Sequence, residues 1–289
     1  MTISNKERTE VLTHALPYIQ KYSGKTVVVK YGGSAMINKE LEQLVMGDLV
    51  LLAQIGVRVV LVHGGGPEIN ELLKKVGKES QFIDGLRVTD RETMDYVQMA
   101  LAGKVSKELV SLLQVKGGKA LGISGVDGRL IKARKLDERL GYVGWITDVN
   151  AGLLKDLLGS GYIPVVSSLG YDDEGGVYNI NADTAAAAIA GALQAECLIS
   201  MTNTPGLLRD AGDPGSLLVA LDVEEAEKLC QEGVVSGGMI PKVACCIEAI
   251  RLGVKKVFIL DGRAPHSILL EMLTDEGVGT MVTEKKVQS

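Results

Sequence analysis

Two stretches about thirty residues apart follow one plan. VVVKYGGSAM (Val27 to Met36) and VVLVHGGGPEI (Val59 to Ile69) each run an unbroken apolar segment into glycines, and helix-forming sequence comes next. A strand that is apolar at every position has no face for water, so both of its faces must be covered. Such strands alternating with helices give a mostly parallel sheet with helices on either side. The pattern recurs along the chain. Strands are expected at KTVVVKY, VRVVLVH, KALGIS, YIPVVSSL, ECLISMT and KKVFILDG. Helices are expected over 39–55, 67–76, 90–115, 150–159, 222–231, 237–252 and 265–273, and at the alanine-rich ADTAAAAIAGAL. Short segments within 81–88 and 128–146 predict hairpins beside the sheet. The fold class is therefore α/β, a three-layer αβα sandwich with a central, mostly parallel sheet.

No linker or low-complexity stretch divides the chain. Residues 1–24 form an arm, 25–195 an amino lobe and 196–289 a carboxy lobe, and the two lobes share one sheet in one continuous domain. Within the arm, Val11, Leu12, Ala15, Leu16 and Ile19 fall on one helical face, and Pro17 should kink the helix. An apolar stripe on such an arm needs a partner, and another subunit is one answer.

Composition removes several classes of function. A net charge of −5 argues against nucleic-acid binding by bulk electrostatics. No apolar run reaches the ~18–20 residues of a membrane span. The charged start MTISNKERTE is unlike a secretory signal. Cys197, Cys230, Cys245 and Cys246 have no metal-site or disulfide spacing, so they are expected as reduced thiols in a cytoplasmic protein. Three histidines, far apart in sequence, leave little for a histidine metal site or a His-dependent triad. No protein-bound metal is expected.

In sheets of this type ligands gather at the carboxyl ends of the strands. The glycine-rich turns are expected there: Gly32 and Gly33, Gly64 to Gly66, Gly122 to Gly125, and Gly206. Two familiar phosphate signatures do not fit. GKT at Gly24 to Thr26 precedes its strand and has Ile19 where a P-loop needs glycine. Gly64 and Gly66 are followed by Ile69 where a dinucleotide fingerprint needs its third glycine. What remains is an anion site of another kind. Lys30 stands at a strand end beside two glycines. Gly64 to Gly66 open a helix, whose N-terminus attracts anions. VSGGMIPKV (Val235 to Val243) brings Lys242 onto the first turns of another helix. In YNINADTAAA, Asp183 stands where a helix N-cap would. Taken singly, Lys242 also reads as a solvated helix lysine, Asp183 as a cap, Asn179 and Asn181 as turn formers and Arg87 as a surface arginine.

Together with DGLRVTD, LAGKVSKELV, YNINADTAAAAIA, TNTPGLL and SGGMIPKV, the two opening stretches resemble the amino acid kinase family, in the same order through nearly the whole chain. K-x-G-G is shared by its aspartate, glutamate, carbamate and uridylate kinases. DGLRVTD with NINAD points to the branch that acts on N-acetyl-L-glutamate in arginine biosynthesis. The resemblance implies transfer of the γ-phosphoryl group of ATP to the γ-carboxylate of acetylglutamate, with Mg2+ carried on ATP. Lys30 and Lys242 would stabilise the moving phosphoryl group, and Asp183 would hold both lysines. Gly33 and Gly65 would supply amides to phosphate. Gly65, Gly66, Arg87 and Asn179 would grip the acetylglutamate. Asn203, Thr204, Pro205, Gly206, Leu207 and Leu208, with Val234, Val235 and Ser236, would line the nucleotide pocket. Many relatives have Asp where Asn203 stands, so this chain keeps hydrogen bonding there but loses a charge.

Arginine-sensitive members are similar at both ends. EVLTHALPYIQKYSGK resembles a kinked arm that interlaces with its copy in a homohexamer, a trimer of dimers. HSILLEMLTDEGVGTM resembles an arginine-binding tail, in which Glu271 would pair the guanidinium, Gly277 would contribute backbone and Tyr18 would close the site. Arginine is then an expected feedback inhibitor. The alternatives are a carbamate or aspartate kinase, or a non-catalytic arginine or nucleotide sensor. Docking of a PII-type protein is not readable from the chain.

Overall fold

The computed structural model describes residues 4–36, 38–210 and 212–285. The arm is α1 (Asn5–Tyr22), with Pro17 inside it. The chain then alternates as its pattern predicts: β1 (Thr26–Tyr31), α2 (Lys39–Gln54), β2 (Arg58–His63) and α3 (Gly66–Lys75). The hairpin of β3 (Phe82–Ile83) and β4 (Leu86–Arg87) leads into α4 (Arg91–Gln98) and α5 (Ser106–Val115). After β5 (Ala120–Ser124), β6 (Ile131–Lys135) pairs antiparallel with β7 (Gly144–Val149). Next come α6 (Gly152–Gly159), β8 (Ile163–Ser167), β9 (Leu169–Tyr171), β10 (Val177–Asn179) and α7 (Ala182–Ala192). The carboxy lobe contains β11 (Cys197–Thr202), β12 (Ala220–Asp222), α8 (Val223–Gln231), α9 (Met239–Arg251), β13 (Lys256–Asp261), α10 (Ser267–Leu273) and β14 (Thr280–Thr283).

One eight-stranded sheet has the order β12-β14-β13-β11-β1-β2-β8-β5. Every neighbouring pair is parallel except β13–β14. The two lobes meet inside this sheet, where β1 pairs with β11 and Val29 is in register with Ile199. Strand alternation sorts the core into two layers. Val28, Val60 and Val62 pack with the buried faces of α6, α7, α8 and α9. Val27, Val29, Val59 and Leu61 pack with α2, α5 and α10 on the other side. Helix layers on both faces explain why these strands carry no polar alternation.

The structure departs from the sequence pattern at several elements. The expected helix over 90–115 is interrupted by a π-helical stretch, Met99–Val105, between α4 and α5. The expected strand YIPVVSSL divides after Ser167, and β9 joins a second, four-stranded sheet of order β10-β9-β6-β7. β12, the edge strand, and β14 beside it are short and have no turn-bounded apolar run to announce them. Gly122 lies inside β5 rather than in a turn. A Cβ there would meet the Ser106 hydroxyl at 2.5 Å, so the glycine serves helix–strand packing. No helix among the described residues is long and apolar enough to cross a membrane.

Ile199 is fully buried at the lobe junction. Ile199→Ala is expected to cost about 2–5 kcal/mol in urea unfolding, as for large-to-small core changes generally. A loss below about 1 kcal/mol would mean that the junction repacks freely.

Candidate active site

The sheet's parity sets the site. Lys30 is two residues from Val28, so its side chain leaves β1 on the α7–α9 face. Above that face lies α7, whose Ala185, Ala186, Ala187 and Ala190 are buried. Small side chains let the helix lie close over β1 and bring its first turn to the strand end. The N-cap of α7 is Asn181, not Asp183. Its Oδ1 accepts from the N–H groups of Asp183 at 2.9 Å and Thr184 at 3.2 Å. With the cap already filled by Asn181, the Asp183 carboxylate is available for other partners.

Those partners are the two lysines. Lys30 Nζ is 3.0 Å from Asp183 Oδ1, and Lys242 Nζ, on the first turns of α9, is 2.9 Å from Oδ2. Each carboxylate oxygen thus holds one ammonium. Burial alone would push Asp183 up, but the Lys30 and Lys242 charges outweigh it and hold the carboxyl below its ordinary range. Burial lowers Lys30, and the nearby Lys242 adds to that against the pull of Asp183. Burial also opposes the charge on Lys242, yet Asp183 outweighs it and the net shift is upward. One carboxylate facing two ammonium groups leaves a net positive charge of one.

This group opens onto a cavity of about 340 Å³. Gly33, Gly65, Gly66, Arg87 and Asn179 line the same cavity, together with Lys30, Asp183 and Lys242. Gly33 adopts φ +67°, a left-handed conformation suited to glycine. Gly65 is required by packing, because a Cβ would stand 2.7 Å from Leu101 Cδ2 on the π-helical stretch. Arg87 is buried, and its guanidinium donates to Ser80 Oγ at 2.6 Å and to Asn70 Oδ1 at 2.7 Å. The Phe82 ring lies 4.8 Å from its Cζ. Among the described residues no carboxylate pairs with Arg87, so a buried cation faces the cavity without an anion. Asn179 donates to Thr89 Oγ1 at 3.3 Å.

The other expected residues lie outside this cavity. Asn203 to Leu208 follow β11, at the strand end that Lys30 occupies on β1. Leu207 and Val235 are core residues, while Asn203 and Ser236 are exposed. Thr204 touches Met239 at the start of α9, with Oγ1 to Sδ at 3.9 Å. Glu271 and Gly277 are near the chain's end, where Glu271 accepts the Val278 N–H at 2.9 Å. Tyr18 is on the arm and half-buried. Sequence reasoning missed Ser168, Leu101 and Ala182 as cavity residues. Ser168 stands where the chain leaves one sheet for the other, and nothing local in SSL signals that switch. Among the described residues, no three or more His, Cys, Asp and Glu side chains gather as a metal site.

Residues 25–261 match the family model described as "Amino acid kinase family". The chain belongs to the amino acid kinase family. Similar proteins share nearly its whole length. An acetylglutamate kinase from Brachyspira hyodysenteriae is 56% identical over 281 residues, covering 96% of this chain and 98% of the relative. An acetylglutamate kinase from Clostridium beijerinckii is 54% identical over 283 residues, covering 97% and 99%. Among solved structures, N-acetylglutamate synthase from Neisseria gonorrhoeae, complexed with coenzyme A and N-acetyl-glutamate, superposes with a TM-score of 0.85 at 28% identity. That match covers 96% of this chain but only 64% of the longer synthase chain. The amino acid kinase fold thus carries this chain's cavity at the carboxyl ends of β1 and β2, with cations from both lobes.

Gly65→Ala should destabilise this family member by about 1–3 kcal/mol in urea unfolding, the usual cost of overpacking. An unchanged midpoint would show that the Leu101 side chain simply moves aside.

Proposed function

We propose that the chain transfers the γ-phosphoryl group of ATP to the γ-carboxylate of N-acetyl-L-glutamate. The products are N-acetyl-L-glutamyl 5-phosphate and ADP, a step of L-arginine biosynthesis. The observation that carries this reading is the Lys30–Asp183–Lys242 group facing the cavity that also holds Arg87, which has no carboxylate partner among the described residues. Full-length relatives named acetylglutamate kinase supply the substrate's identity.

A carboxylate oxygen of acetylglutamate attacks the γ-phosphorus. The new O–P bond forms as the bond to the β–γ bridging oxygen breaks, and its electron pair leaves on ADP. The nucleophile is already ionised, so no general base is needed. What the protein must supply is positioning and relief of negative charge. In this reading Lys30 and Lys242 neutralise charge on the transferring group, and Asp183 fixes their positions. Gly33 and Gly65 offer amides to phosphate. Gly66, Arg87 and Asn179 hold acetylglutamate with Gly65, and Arg87 takes a carboxylate in a forked contact. Asn203 to Leu208 and Val234 to Ser236 receive the nucleotide, where α9 begins. Mg2+ enters as part of the substrate, bound to the phosphates of ATP.

Arginine inhibition and a hexamer belong to the same proposal. On α1, Val11, Leu12 and Leu16 are 67%, 74% and 51% exposed, a largely uncovered apolar face among the described residues. The arm packs beside α10, which carries Glu271. Burial raises the Glu271 carboxyl, and an arginine guanidinium between Tyr18, Glu271 and Gly277 would favour its ionised form. A cytoplasmic location fits a chain with four free cysteines, as expected of reducing compartments.

Acetylglutamate-dependent ADP release tests the reaction, with carbamate and aspartate as competing substrates. A sensor would release no ADP with any of them. Asp183→Asn should lower kcat by about 100-fold or more, the scale of losing a preorganised electrostatic contact. It should also move the basic limb of the kcat profile to lower pH. Without Asp183, burial and the Lys242 charge depress Lys30 further, so its charge is lost earlier as pH rises. A basic limb that stays in place would refute the assignment of Asp183. Millimolar arginine should inhibit the wild type, and Glu271→Ala should abolish that inhibition. A dimer by gel filtration would count against the hexamer.

A further inference from the structure

His63 ends β2, one residue before the glycine run, and is fully buried. It does not line the cavity, and the proposed chemistry gives it no proton to move. Its ring nevertheless has a defined partner at each nitrogen. Nδ1 is 2.8 Å from the Gly64 carbonyl oxygen, and Nε2 is 3.0 Å from Ser167 Oγ. Ser167 ends β8 and is in register with His63. A carbonyl can only accept, so Nδ1 must carry a proton. Nε2 of a neutral ring is then a lone pair, and the Ser167 hydroxyl must donate to it. The hydroxyl's other acceptor, the Leu101 carbonyl, is farther at 3.2 Å and already receives the Ser106 N–H across the π-helical stretch.

Gly64 is held on both sides. Its N–H donates to the Tyr31 carbonyl at 3.2 Å, and its own carbonyl is bound by His63. In a trans peptide the carbonyl and the following N–H point in opposite directions. With the Gly64 carbonyl turned to the imidazole, the Gly65 N–H faces away from it. Neither the Gly65 nor the Gly66 N–H has an acceptor among the described residues, and both glycines line the cavity.

We infer that His63 is a positioning residue: as the neutral Nδ1–H tautomer, locked by Ser167, it holds the Gly64 carbonyl and so keeps the Gly65 and Gly66 amides free for the reacting anions. The effect on turnover rests on the proposed kinase reaction; the tautomer does not. Burial lowers the imidazole to about 4, so at neutral pH the ring is uncharged. The neutral form matters mechanistically. It fixes the turn without adding a further cation that would compete with the lysines for substrate charge.

With only three histidines in the chain, nitrogen NMR of histidine-labelled protein reads the tautomer directly. His63 should carry a proton on Nδ1 alone, unchanged between about pH 6 and pH 8, where an unperturbed histidine would titrate. An Nε2–H tautomer, or an imidazolium in that range, would overturn the inference. His63→Asn places an amide N–H near the Nδ1 position, and His63→Gln places one near Nε2. Per folded site, H63N should keep the KM for acetylglutamate within about threefold of wild type, and H63Q should raise it about tenfold. A purely structural histidine would change the folded fraction and leave KM alone, so equal KM values in the two variants would contradict the positioning role. A wild type without acetylglutamate-dependent turnover would refute the proposed reaction instead, and the nitrogen spectrum would still decide the tautomer.

Discussion

A single carboxylate, Asp183, holds two ammonium groups, one on each oxygen. Lys30 comes from a central strand of the amino lobe and Lys242 from a helix of the carboxy lobe. A buried and a half-buried lysine this close would repel each other, and burial would favour their neutral forms. Asp183 makes their joint ionisation tolerable, and in doing so it ties the lobes together at the point where they share a sheet. The rest of the architecture can be understood as what brings these three groups together. Parallel pairing of β1 with β11 brings the lobes side by side. The alanine face of α7 allows the close approach that delivers Asp183. The Asn181 cap leaves that carboxylate free for the lysines.

Around the charged group the glycines have two separate physical tasks. Gly33 adopts a left-handed turn, which any side chain would strain. Gly65 has an extended φ and is instead required by the nearness of Leu101. One is a conformational constraint and the other a packing constraint, although both read as the letter G after a strand. Arg87 adds a further cation whose orientation is set by Ser80, Asn70 and Phe82 rather than by a counter-charge. A buried guanidinium without a carboxylate is costly unless a ligand completes it. That is the physical basis for expecting an anionic substrate at this wall of the cavity.

Much of this was legible before any coordinates. Lys30, Lys242, Asp183, Arg87, Asn179 and the glycines of the first two turns were picked out together, and one cavity contains them all. Lys30, Lys242 and the glycines were legible from strong local signals, an apolar strand ending in glycine or a glycine pair opening a helix, whereas Arg87 and Asn179 read singly as a surface arginine and a turn former and were singled out through the family resemblance. Asp183 was misread as a helix cap because Asp and Asn are near-equivalent caps, and only the backbone geometry distinguishes position 181 from 183. The π-helical stretch Met99–Val105 was invisible because its sequence keeps ordinary helical character. β9 and β10 escaped because short strands acquire their identity from the strands they join, and the same holds for β12 and β14 at the sheet's edge.

The sequence by itself determined a two-sided parallel sheet, through strands with no polar alternation, and an anion site at the strand ends, through its glycines and lysines. Both follow from periodicity and residue chemistry, which act over a few residues. Tertiary structure decided that Lys30 and Lys242, more than two hundred residues apart in sequence, share one carboxylate. It also decided that Arg87 has no counter-ion among the described residues, and that His63 holds the Gly64 carbonyl while Ser167 occupies its other nitrogen. Those relations depend on distances of about 3 Å between distant segments, where charges and hydrogen bonds become strong. Only packing of the two lobes across one sheet sets such distances.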